Sequence, residues 1–88
     1  FDIHYCGPSP LGDGAHGMCM YNHQTIFVLD GQKPAEEADT VLHELIHAID
    51  FTMGLDLTER QVTQLATGIY GMLQDNPEFA QWLIEERP

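Results

Sequence analysis

The sequence predicts an α+β domain, a small antiparallel β-sheet followed by three helices, and three observations carry that reading. Runs of β-forming residues with turn signals between them fill the chain up to residue 30. Apolar residues recur at helical spacing from residue 34 onward. Cap signatures at Pro34, Thr58 and Asn76-Pro77 then divide the second part into separate helices.

Phe1 to Tyr5 alternates apolar and polar side chains as a short strand does, and Gly7-Pro8-Ser9-Pro10 ends it with residues that cannot continue a ladder. Gly12 to Gly17 reads as a glycine-rich loop. Met18–Tyr21 and Thr25–Leu29, separated by Asn22-His23-Gln24, form the two arms of an antiparallel hairpin that Asp30-Gly31 breaks. Pro34 suits a first helical turn, Glu36, Glu37 and Asp39 complement its positive end, and Gly54 supplies a left-handed stop, so the first helix spans Pro34 to Met53. Its apolar stripe is Ala38, Val41, Leu42, Leu45, Ile46, Ile49 and Met53. Thr58-x-x-Gln61 is a capping box opening a second helix through Val62, Leu65, Ala66, Ile69 and Leu73 to about Gln74. Asn76-Pro77-Glu78 opens a third, with Phe79, Trp82 and Leu83 expected to close the core.

The 88 residues fit one domain, 1–88, with a modest core. The chain begins at Phe1 rather than methionine, so upstream residues could add a strand or helix. Fourteen acidic residues against three basic ones give a net charge of −11, which predicts repulsion from nucleic acid and anionic membrane. That charge could favour basic peptides, although solubility alone accounts for it. No long apolar run or export leader is present, which predicts a soluble, cytoplasmic protein in which Cys6 and Cys19 are reduced.

The chemistry is concentrated in His43-Glu44-Leu45-Ile46-His47. Two histidines four apart lie only ~40° from each other around a helix, so both imidazoles can close on one ion. Glu44, beside the first, points to a flank from which its carboxylate reaches a water rather than the metal, the position of a general base. A catalytic zinc usually takes three protein ligands, and Glu59 is the expected third. It opens the second helix, and the short connection Gly54 to Thr58 can fold that helix back over the histidine pair. Asp56, in that connection, is the alternative ligand. Asp50 lies one turn too far along to share the ion and fits a supporting role, accepting the free N–H of His47. His16, His23 and Tyr70 could each polarise a substrate carbonyl.

The stretch Thr40 to Asp50, followed by Gly54 to Val62 and by Leu65-Ala66, resembles the small phage and bacterial metallopeptidases related to the ImmA/IrrE-like zincins. In that family a hairpin precedes the HExxH helix and a glutamate opening the next helix completes the zinc site. Glu59, Val62, Leu65 and Ala66 occupy the matching positions, and the likeness runs from about Gly17 to Leu73. The resemblance implies one Zn2+ per chain on His43, His47 and Glu59, and hydrolysis of peptide or protein substrates in a bacterial or phage-infected cell. It also implies that the strand Gly17, Met18, Cys19, Met20 and Tyr21 rims the cleft and pairs with extended substrate. The rival expectation is a non-catalytic module in which zinc is a structural staple and the acidic surface binds a basic protein.

Overall fold

The computed structural model describes residues 2–7, 11, 14–20, 22 and 24–85. Three strands, β1 (Asp2–Cys6), β2 (Gly17–Met20) and β3 (Thr25–Leu29), precede three helices, α1 (Pro34–Met53), α2 (Glu59–Asp75) and α3 (Pro77–Ile84), the expected α+β order. Tyr21 and His23 lie outside the described residues. None of the helices is long and apolar enough to cross a membrane.

The sheet is mixed rather than antiparallel throughout. β3 lies in the middle, in the order β1-β3-β2. β2 pairs antiparallel with β3, Gly17 opposite Val28 and Met20 opposite Thr25, as the hairpin requires. β1 pairs parallel with β3 on its other side, Asp2 opposite Thr25 and Cys6 opposite Leu29. The parallel pairing follows from two reversals: the chain turns back between β1 and β2 and again between β2 and β3, so β3 runs the way β1 does. β3 takes the centre, and its β-branched Ile26 and Val28 are fully buried on a sheet against which α1 packs. Cys6 and Cys19 are free thiols on strands that flank β3 on opposite sides, two strand spacings or ~9.6 Å apart across the sheet and further offset along it, beyond disulfide reach.

Each helix starts and stops for a local reason. Pro34 occupies the first turn of α1, and Gly54, at φ 66°, ends it with its amide bonded to the Asp50 carbonyl at 2.9 Å. The capping box of α2 is complete: the Gln61 amide donates to the Thr58 hydroxyl at 3.1 Å and the Thr58 amide to the Gln61 side-chain oxygen at 2.9 Å. α2 folds back on α1 around Ile46, Val62 and Ala66, with Leu42 and Leu57 against them.

Two packing expectations change. The apolar stripe of α1 divides: Ile46 is buried toward α2, while Ile49 is 52% and Met53 68% exposed. The buried flank of the helix is instead Thr40, Glu44 and Ala48, which includes a carboxylate. α3 contributes no buried residue; Phe79 and Trp82 stack on each other with ring centroids 5.7 Å apart, and both are about half exposed.

Candidate metal centre

α1 places His43 and His47 on successive turns, and their Nε2 atoms stand 3.2 Å apart. Glu59, the first residue of α2, brings its carboxylate to both: one oxygen lies 2.5 Å from His43 Nε2 and the other 3.1 Å from His47 Nε2. The three residues form a group able to hold a metal ion, all three ligand atoms lying within 4.8 Å of one another. The 3.2 Å between the imidazoles and the 3.1 Å from His47 to Glu59 are close to the ~3.3 Å between donors of a tetrahedral ion at bonds of ~2.0–2.1 Å. The imidazoles are mostly covered and the Glu59 side chain is mostly exposed, so the group opens to solvent on the α2 side.

The connection between the helices sets Glu59 in place, and Asp50 organises it. Its main-chain carbonyl accepts the amides of Gly54 and Leu55, and its side-chain Oδ1 accepts the Leu57 amide at 3.0 Å. Asp50 thus acts on the loop leading to Glu59, not in the expected bond to His47. Asp56 stays exposed in that loop at φ 60° and is not part of the metal group. An aspartate tolerates this left-handed conformation better than most residues, which accounts for its presence in so short a turn.

An open cleft of about 440 Å3 contains the metal group and is walled by α1, α2 and the start of β2. Glu44 lines it and is only 8% exposed. Burial raises its carboxyl above the ordinary glutamate value and Glu59 pushes the same way, whereas His43 and His47 pull it down. The Cys19 thiol is likewise raised, first by burial and then by Glu44.

Gly17 explains how the strand comes so close to the helix. A Cβ there would meet Thr40 Cγ2 at 2.7 Å, Glu44 Cγ at 3.1 Å and the Phe27 carbonyl at 3.2 Å. Only glycine lets β2 lie against the turn of α1 that carries Glu44. Gln32 ties the same region from behind, donating to the Leu29 carbonyl at 3.0 Å while its oxygen accepts the Thr40 hydroxyl at 3.0 Å.

His16 and Gly17 line the cleft as anticipated, and β2 is an outer strand of the sheet. Met18, Cys19 and Met20 continue that strand but do not line the cleft. Tyr70 is not at the cleft: it lies eleven residues past Glu59, ~16 Å along α2, and lines a separate groove with Tyr5, Glu37 and Leu42. Asp39, Thr40 and Thr63 line the cleft without having been singled out from the sequence. Their signal was the helical spacing, since Asp39 and Thr40 stand four and three residues before His43 and Thr63 four after Glu59. No protein-family profile, curated protein or solved structure matches the chain.

Proposed function

We propose that the chain is a zinc metallopeptidase of the small HExxH type. The observation that carries this reading is the arrival of the Glu59 carboxylate, from a second helix, on the paired Nε2 atoms of His43 and His47 beside the buried Glu44. Two imidazoles and one carboxylate are the donor set of a hydrolytic zinc. Among the described residues no fourth His, Cys, Asp or Glu joins the group, which favours an open site over a saturated structural staple. The resemblance of the HExxH helix and of Glu59, Val62, Leu65 and Ala66 to the ImmA/IrrE-like zincins supports the same reading.

In this scheme His43, His47 and Glu59 hold the ion, which when bound supplies the positive charge that acidifies water and polarises a carbonyl. Glu44 accepts the proton of the attacking water and delivers it to the departing amine. Its raised pKa suits the first of these steps, because a carboxylate that holds a proton more tightly is the stronger base toward water. Extended substrate aligns along the outer edge of β2, which pairs with no other strand among the described residues and where backbone amides and carbonyls can pair with it from Gly17 onward. His16, at the mouth of the cleft, is placed to donate to the scissile carbonyl.

The test is metal content by plasma mass spectrometry together with digestion of a mixed peptide pool. Near-stoichiometric zinc in wild type and Glu44→Gln, loss in Glu59→Ala, and cleavage by wild type alone are the expected results. Glu59→Ala should weaken zinc by more than the ~10–100-fold that losing a supporting hydrogen bond costs. Failure of the wild type to take up zinc after reconstitution refutes the reading, and stoichiometric zinc without cleavage of any peptide leaves only the structural staple.

A further inference from the structure

We infer that Asp39 makes the cleft select peptides carrying a lysine or arginine close to the bond that is cut. This rests on the peptidase reading and names its substrate class. Asp39 stands one turn before His43 on the same face of α1 and lines the cleft. Its Oδ1 accepts the Thr67 hydroxyl across from α2 at 3.4 Å, a contact that orients the carboxylate at the cleft wall.

Among the described residues three carboxylates line this cleft, and no lysine or arginine does. Glu59 belongs to the metal group and Glu44 to proton transfer, and between them they offset the two charges of a divalent ion. Asp39 is the carboxylate left without a task in the chemistry, and its charge is the one that a bound substrate meets. A helix-dipole role does not account for it, because it lies beyond the first turn, where that effect has faded. The field of the whole chain, at a net charge of −11, has the same sign and draws cationic peptides toward the cleft. Lysine and arginine are the side chains whose length lets a cation reach Asp39 while the backbone lies by the metal group.

The experiment uses zinc-loaded protein and two readouts. Short fluorescein-labelled peptides of one alanine-rich sequence, with Arg, Gln or Glu at each central position in turn, are titrated by anisotropy against Glu44→Gln and against Glu44→Gln with Asp39→Asn. A mixed-sequence peptide pool is then digested by the wild type and by Asp39→Asn, and the cut sites are read by mass spectrometry. The expected result is about fivefold tighter binding of the best Arg peptide over its Gln counterpart, an advantage reduced by salt, abolished by Asp39→Asn and kept by Asp39→Glu. Cut sites should be enriched in neighbouring Lys and Arg in the wild type only. Cleavage with no such enrichment, or a preference that survives Asp39→Asn, overturns this inference and leaves the peptidase intact. A zinc-loaded chain that neither binds nor cuts any of these peptides overturns both.

Discussion

Gly17→Ala is the sharpest test of how the strand and the helix are fitted together. The added Cβ would sit 2.7 Å from Thr40 Cγ2, against the ~3.5–4.0 Å of an ordinary carbon contact, so one partner must retreat by ~1 Å. Thr40 cannot turn aside cheaply. Its β-branched side chain is stiff in a helix, and its hydroxyl is bonded to Gln32 Oε1 at 3.0 Å. The Phe27 carbonyl, 3.2 Å away on the other side, is backbone within the sheet. Overpacking of this kind costs ~1–3 kcal/mol, and breaking the Thr40–Gln32 bond adds ~1 kcal/mol, so a loss of about 2–4 kcal/mol is expected. In a domain of this size each kcal/mol lowers the melting temperature by ~4–8 °C. Thermal and urea unfolding of Gly17→Ala, Thr40→Ser and the double variant measure it. Serine keeps the hydroxyl and removes the offending methyl, so the double variant should recover part of the loss, the contacts to Glu44 and Phe27 remaining. Unchanged stability in Gly17→Ala, or strictly additive effects in the double variant, would refute the close fit.

Other outcomes follow from the same geometry. Glu44→Gln should make the metal-free protein melt higher than wild type at neutral pH. Burial holds the carboxyl above its ordinary value, so ionising it opposes folding; that penalty is complete above the raised value and absent below the ordinary one, where both states are protonated. The gain should therefore vanish on acidification below ~4, and a gain that persists there would point to packing instead. Asp50→Ala should cost ~1 kcal/mol by stripping the Leu57 amide of its acceptor, and should also weaken zinc, read by competition with a chelating dye. Asp50→Asn keeps an oxygen at that position and should restore both; full zinc affinity in Asp50→Ala would show that the loop does not place Glu59.

The helices were legible because their punctuation is local. Pro34, Gly54, the Thr58–Gln61 box and Pro77 each act within a few residues and the structure uses them, whereas Asn76 makes no side-chain cap bond to α3 and instead donates to the Met72 carbonyl at the end of α2. The histidine pair with Glu59 was legible for a related reason, since a five-residue connection leaves α2 few directions other than back along α1. The direction of β1 was not, because strand pairing between residues some twenty positions apart depends on the route of the intervening loop. Asp50 illustrates a subtler failure: its place on the histidine face suggested a partner among the histidines, but an unpaired amide in the tight turn after Gly54 competes for the same carboxylate. The partition of α1's apolar stripe was hidden too, because helical spacing says which residues share a face and not how much of that face has a neighbour. Asp39 reads in the sequence as one more acid of the helix start, but it lies beyond the first turn, which only Glu36 and Glu37 occupy, and lines the cleft instead.

The donor set is divided between two helices, and that division has a consequence for when the site exists at all. While the chain is being made, α1 emerges before α2, and a nascent chain holding only the first helix owns the two imidazoles without Glu59, the carboxylate that completes the group. Competence is conjunctive: it needs the second helix built, its cap closed and the turn through Asp50 locked. A metal group divided this way is absent from partly formed or damaged copies, so its presence reports that both helices are built and docked.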